Sequence, residues 1–320
     1  MIIEKPGLLS TIQDLGRNGY KRYGVITSGA MDQIAHRIAN MLVLNGEKEE
    51  TVEMTMIGPE IRFQEDAIIA ITGGNLSPSI NGHDVKMYRP ITVRDGDVLS
   101  FGRAVSGIRS YLAVHGGFSI ERVMQSGSTY LKAGIGGYKG RALKKGDELR
   151  LKKRISLEQW KKTIKWSAES FNHPQNGLSK KTIRVIPGPQ YEDFTTASQQ
   201  AFAENEFTVT QESDRMGYRL EGESLILKEP TEFISEAVTF GTIQVPADGK
   251  PIILMADSQT LGGYAKLAQA ASVDRSAIAQ AKPGDRLTFE IIGLKDAQSL
   301  LLEQERELQM VKRGIWMKWS

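Results

Sequence analysis

Three segments carry most of the residues whose types and spacing could do chemistry. The first runs Thr11-Ile12-Gln13-Asp14-Leu15-Gly16-Arg17 and resumes as Thr27-Ser28-Gly29-Ala30-Met31-Asp32. Arg17 presents a planar fork of donors that matches a carboxylate. Ser28 and the amides of Gly29 and Ala30 could receive an anion at a helix start. A structural reading fits the same residues, with Ser28 capping that helix and Asp32 favouring its positive end. The second segment is Ser213-Asp214-Arg215-Met216-Gly217-Tyr218-Arg219. Here Asp214 reads as a proton acceptor or amide partner and Arg215 as an electrophilic clamp, or the two as separate ion pairs. The third is Met255-Ala256-Asp257-Ser258-Gln259-Thr260-Leu261-Gly262-Gly263-Tyr264-Ala265-Lys266. It reads as a buried strand, a polar loop and a Gly-Gly opening a helix. The Gly262 and Gly263 amides could then receive an oxyanion, with Lys266 one turn into the helix.

Chemistry must come from such residues because other kinds are missing. The 320 residues include no cysteine and only four histidines, His36, His83, His115 and His173. That excludes disulfide scaffolds, thiolate metal sites and thiol nucleophiles, and no metal site is expected. There is no Gly-x-x-x-x-Gly-Lys-Ser/Thr loop, no Gly-x-Gly-x-x-Gly after a strand and no Gly-x-Ser-x-Gly elbow. A Met-Lys pair occurs only at Met317-Lys318, beside the C-terminus, so no carrier lysine for biotin is expected.

The elements that must position these residues are mostly strands. Short apolar runs at Ala67–Thr72, Asp97–Phe101, Ser110–Val114, Phe207–Thr210, Ser224–Leu227, Ile252–Met255 and Arg286–Ile291 are punctuated by many of the 32 glycines. Five helices are expected. One follows Ser28 and stops at Asn45-Gly46, and one opens at the capping box Ser156-Leu157-Glu158-Gln159. The others lie near 192–203, over the alanine-rich Gly263–Ala271, and over 296–311.

Two segments recur. Thr11–Lys21 matches Val209–Arg219 at an offset of 198, and Gly96–Phe101 matches Gly284–Phe289 at 188. This argues for a β domain used twice. The division that follows is a first domain with extension at 1–150, a basic helical connector at 151–182, a second domain at 183–293 and a C-terminal helix at 294–320. The connector carries +6 of formal charge and the remainder −3, which sum to the net +3. The excess therefore reads as a solvated connector face, and no nucleic-acid partner is expected. No stretch reaches the roughly 20 apolar residues of a membrane span. The N-terminus lacks signal-peptide architecture, so no membrane partner and a cytoplasmic location are expected.

Gly7–Arg17, Ser28–Asp32, Arg109-Ser110-Tyr111-Leu112-Ala113-Val114-His115-Gly116-Gly117, Ser213–Leu220 and Gln259–Lys266, taken in order, resemble the biotin-dependent carboxyltransferase-like family. That family includes the carboxyltransferase region of urea carboxylase, allophanate hydrolase subunit 2, and the bacterial 5-oxoprolinase C subunit, or kinase-inhibitor antagonist. The resemblance runs from Lys5 to about Gly293. It departs from the family pattern at Leu42-Val43-Leu44-Asn45, at Met124–Thr129 and at Leu261 and Ala265.

The resemblance implies a mainly β protein of two cyclophilin-like β-barrel domains with a few helices. It implies a hetero-oligomeric hydrolase that uses ATP, bound by this chain or by a partner, to cleave 5-oxo-L-proline to L-glutamate. The implied partners are a B-like subunit of related fold, an A-like subunit and a small-molecule amide substrate. Two alternatives remain: a carboxyltransferase served by a separate biotin carrier, and a non-enzymatic protein that antagonises a kinase inhibitor. For lactam opening, Asp214, Gln259 and Lys266 are the catalytic candidates. Arg17, Ser28, Asp32, Arg215, Gly262 and Gly263 are the substrate-binding candidates.

Overall fold

A computed structural model describes residues 1–153, 166–168 and 178–319. The helix expected from Ser156, and with it most of the basic connector, lies outside the described residues. Alternating and continuous apolar runs form ten strands in the first half: β1 (Ile2–Lys5), β2 (Leu9–Gln13), β3 (Thr51–Thr55), β4 (Glu60–Arg62), β5 (Ala67–Asn75), β6 (Pro78–Ile80), β7 (His83–Asp84), β8 (Pro90–Val93), β9 (Val98–Phe101) and β10 (Ser106–Val114). They make two five-stranded sheets, ordered β1-β4-β9-β6-β7 and β2-β3-β10-β5-β8. Ile3, Ile12, Val52, Ile69, Leu99 and Leu112 meet in their core.

Nine strands follow: β11 (Lys180–Pro187), β12 (Phe207–Val209), β13 (Gly217–Glu221), β14 (Glu236–Ala237), β15 (Thr242–Val245), β16 (Ile252–Leu254), β17 (Leu261–Gly262), β18 (Ala265–Ala270) and β19 (Arg286–Ile291). Seven close a barrel in the order β11-β18-β15-β16-β13-β12-β19, and β14 pairs with β17 alone. The parallel β11–β19 pair, Lys180↔Arg286 to Val185↔Ile291, completes the ring. Phe202 from the flanking helix stacks on Phe289 of the barrel at 4.5 Å.

Contacts divide the chain into two units, Met1–Arg17 with Ser28–Gly177 and Met310–Ser320, and Asn18–Thr27 with Leu178–Gln309. The segment 18–27 thus belongs with the barrel, although its flanks belong with the first unit. The repeat at offset 188 is a shared turn. Gly96 and Gly284 sit at φ 87° and 90°, a conformation that favours glycine. Asp97 and Asp285 bond the amides of Arg94 and Lys282 through their carboxylates. Each turn then pairs through its backbone with one strand-end residue, Phe63 or Val209. A third copy, Gly146-Asp147 paired with Ile3, was not recognised in the sequence.

Helix α1 (Gln33–Leu42) is capped by Asp32, which accepts from the Ala35 amide at 3.0 Å. The expected cap, Ser28, lies four residues earlier at φ 55°. Helices α2 (Thr196–Glu204), α3 (Arg275–Ala279) and α4 (Leu294–Trp319) follow, the last longer than expected at both ends. Within the first unit its final residue, Trp319, donates to the Leu42 carbonyl at 3.1 Å.

Two expectations fail. Ser224–Leu227 is not a strand and keeps only a single bridge, Leu227 to Phe194. Gly263–Ala271 is not a helix: it enters β18, which pairs with β11 and β15. The Ala-Lys-Leu-Ala-Gln-Ala run has high helix propensity, but the barrel ladder on both sides overrides so weak a preference. Among the described residues no helix is long and apolar enough to cross a membrane.

Candidate active site

In the first unit the candidate residues are joined by internal hydrogen bonds. Asp14 accepts from the Gly16 and Gly127 amides at 2.7 Å each and from the Ser126 hydroxyl at 2.8 Å. Ser128 also donates to it. Arg17 is fully buried, and its Nη2 donates to the Ser128 carbonyl. A Cβ on Gly136 would fall 2.1 Å from that same Nη2. Ser28 donates to the Thr129 carbonyl at 3.1 Å.

The helix-start amides are bonded within the protein, one by a backbone carbonyl and one by a carboxylate. The Ala30 amide bonds the Asp14 carbonyl at 2.8 Å, and the Met31 amide bonds Glu53 Oε2 at 2.8 Å. Tyr111 donates to Glu53 and accepts from the Asp32 amide. Burial, then the Glu53 and Asp32 charges, push the Tyr111 phenol well above its usual range. Burial also holds the His36 imidazole down to about 4, and its Nδ1 lies 2.9 Å from Thr51 Oγ1. Of the residues expected as a substrate clamp and anion seat, Ser28 donates to the Thr129 carbonyl, Asp32 caps α1 and Arg17 Nη2 rests on the Ser128 carbonyl.

In the second unit Arg215 is 5% exposed and grips Asp257 with two bonds, Nε to Oδ2 at 2.8 Å and Nη2 to Oδ1 at 3.0 Å. The carboxylate expected from a substrate is supplied by the chain. Asp214 is exposed and folds back on the Met216 and Gly217 amides at 2.7 and 3.2 Å. Gln259 is also exposed.

Lys266, Gly262 and Gly263 come together on the β14–β17 and β15–β18 ladders. Glu236 pairs with Gly262, and Gln244 with Lys266. The Lys266 side chain is 6% exposed, with its ammonium 3.0 Å from Glu236 Oε2 and 3.4 Å from the Tyr264 carbonyl. Its backbone amide is held by Gln190 Oε1 at 3.0 Å. Gln244 is 4% exposed, and its Nε2 has no hydrogen-bond partner among the described residues. A Cβ on Gly262 would lie 2.1 Å from that nitrogen, so a larger residue there would displace the Gln244 amide. Because Gly262–Gly263 leads into a strand, the expected helix-start amides are corrected to amides between two short strands.

Gly263, Tyr264 and Ala265 also border a cavity of about 810 Å³ whose apolar walls include Leu225, Leu227, Phe233 and Val245. Sequence reasoning missed Gln244 and Glu236. The one available signal was a lone amide inside the apolar run Thr242-Ile243-Gln244-Val245.

Mostly β units, a seven-stranded barrel and this buried lysine–amide pair set the context for comparison with known proteins. The carboxyltransferase family described as "Carboxyltransferase domain, subdomain A and B" matches residues 23–291. The chain belongs to that family. It is 38% identical over 310 residues to the 5-oxoprolinase C subunit of Haemophilus influenzae, covering 96% of each chain. It is 36% identical to the 5-oxoprolinase C subunit of Escherichia coli over 97% of this chain and 96% of that one. Among solved structures, the Kluyveromyces lactis urea amidolyase superposes with a TM-score of 0.85 at 29% identity, over 95% of this chain and 19% of that one.

Proposed function

We propose that this chain is the C subunit of an ATP-dependent 5-oxoprolinase. It acts in the cytoplasm with a B-like subunit of related fold and an A-like subunit, and together they hydrolyse 5-oxo-L-proline to L-glutamate. The observation that carries this reading is the identity to 5-oxoprolinase C subunits, 38% and 36%, against 29% to the Kluyveromyces lactis urea amidolyase.

Lactam opening adds water across the ring C–N bond. Hydroxyl goes to the carbonyl carbon, and the ring nitrogen leaves with a proton. Negative charge grows on the carbonyl oxygen, and an ammonium withdrawn from water stabilises such charge strongly. Lys266 supplies that ammonium, released from the exposed Glu236. The Gln244 amide nitrogen, packed against Gly262, donates beside it. Asp214, whose carboxylate is folded back on the Met216 and Gly217 amides, is not assigned a role in this step, and Gln259 is exposed.

A nucleotide fits these residues poorly. Gly262–Gly263 opens no helix, and the Ala30 and Met31 amides are already engaged by Asp14 and Glu53. ATP is therefore assigned to a partner subunit, and no step on this chain runs through it.

The test mixes the full chain with both partners, 5-oxoproline and ATP, and follows glutamate and ADP. Both products are expected together. No turnover, alongside carboxylation of urea from carboxybiotin, would establish the carboxyltransferase reading instead, which the urea amidolyase superposition favours. Tight partner binding unchanged by Lys266→Ala, without turnover of either kind, would leave the kinase-inhibitor antagonist.

A further inference from the structure

Lys21 and Arg275 are two cations of the second unit that no role above absorbs. Lys21 lies on the 18–27 segment, and its ammonium donates to the Val238 carbonyl at 3.2 Å. Arg275 opens α3 with its guanidinium carbon 5.3 Å from the Phe240 ring centroid. Its Nε is buried and has no hydrogen-bond partner among the described residues. The carboxylate next to it, Asp274, is already taken twice by Arg184, at 2.9 and 2.6 Å. Among the described residues neither Lys21 nor Arg275 makes an ion pair. Burial and the Arg275 charge hold the Lys21 ammonium below its usual range, and burial alone lowers Arg275. Lys21 is exposed and feels the Arg275 charge, and Arg275 carries a buried Nε without a partner among the described residues, so an anion placed between them would be favoured.

The position matters as well as the charge. Val238, whose carbonyl receives Lys21, has its Cγ1 3.1 Å from where a Cβ on Gly262 would stand. Lys21 therefore adjoins Gly262 of β17 through Val238, and Arg275 lies against Phe240, two residues further along the same segment. We propose that Lys21 and Arg275 form an oxyanion-binding subsite that takes the carboxylate or phosphate group of a ligand whose remainder lies along Gly262. This deepens the 5-oxoprolinase reading and rests on it for the ligand's identity: 5-oxoproline bears a carboxylate beside its lactam, whereas urea bears none. It also supplies the anion clamp that Arg215, engaged by Asp257, does not.

The experiment titrates the purified full chain with 5-oxoproline, acetate, inorganic phosphate and 2-pyrrolidinone, the lactam without a carboxylate. The proteins are wild type, Lys21→Gln, Arg275→Gln and Arg275→Lys, each checked for an unchanged melting transition. At least one oxyanion is expected to bind saturably, and each Gln variant to weaken it about tenfold or more, the effect of losing one charge-assisted bond. Arg275→Lys recovers part of the loss, and any pyrrolidinone binding is unaffected. Preference for 5-oxoproline over phosphate assigns the subsite to a carboxylate, and the reverse to a phosphate. No saturable binding of any anion, or equal affinity in wild type and both Gln variants, overturns the proposal. Because the titration needs neither partners nor turnover, anion binding without glutamate formation would sink the functional reading alone. Turnover with unaltered anion binding in the variants would sink the subsite alone.

Discussion

Arg17 and Arg215 occupy matching places in a recurring sequence motif, yet the two units bury them by different means. In the first unit the matched acid, Asp14, is buried and serves the 126–128 loop, while Arg17 rests on a backbone carbonyl of that loop. In the second the matched acid, Glu212, is 79% exposed and reaches only Arg219, at 3.5 Å. Arg215 draws its counter-charge from Asp257, 42 residues away. A buried guanidinium must be bonded wherever it sits, because an uncompensated buried charge costs several kcal/mol. The motif fixes the arginine, and the surrounding strands decide what satisfies it. After Arg215 the chain turns directly into β13, which pairs back on β12. After Arg17 it leaves for another element. Similar letters therefore sit in different surroundings, and Arg215 has its carboxylate within the chain.

The comparison can be broken most sharply at Asp257. Asp257→Ala is expected to cost about 3–5 kcal/mol in chemical denaturation by stranding Arg215. The double change Arg215→Met with Asp257→Leu is expected to restore most of that loss; an unrestored double variant would show that the pair does more than neutralise itself.

In the first unit the corresponding stress is pH. His36 is held neutral, with its folded value near 4 against about 6.5 unfolded. Above pH 6.5 it is neutral in both states and adds no slope. As pH falls the unfolded state takes the proton first, so stability drops by roughly 3 kcal/mol between about pH 6.5 and 4 and then levels. Denaturation midpoints across that window, with and without His36→Asn, isolate this contribution.

Asp14→Asn is expected to cost roughly 2 kcal/mol through its buried donors. Glu212→Gln, at the matching place, should change stability by less than about 0.5 kcal/mol. Equal losses in the two variants would erase the contrast between the units.

Much of this fold was legible in the sequence. β19 begins and ends where the alternating run Arg286–Ile291 predicts, and the Gly-Asp repeat marks the same backbone turn in both units. Local signals sufficed there because the turn and the alternation are themselves local. β18 was misread because Ala-Lys-Leu-Ala-Gln-Ala carries helix preference, and only the ladders to β11 and β15 reveal a strand. The candidate site was half legible. Gly262, Gly263 and Lys266 lie together, but Gln244 and Glu236 join them only through strand register. The Arg215–Asp257 pair and the proximity of Lys21 to Arg275 are products of tertiary folding that no spacing rule encodes.

The central claim is that chemistry belongs to Lys266 while Arg215 is structural. Glutamate formation by the fully assembled enzyme tests it most directly, with this chain carrying either Lys266→Ala or the paired Arg215→Met and Asp257→Leu replacement. The account predicts a folded Lys266→Ala chain about 100-fold or more slower, the scale of losing one group that stabilises an oxyanion. It predicts a paired variant that keeps most of its activity. An active Lys266→Ala enzyme, or a folded but inactive paired variant, would contradict it.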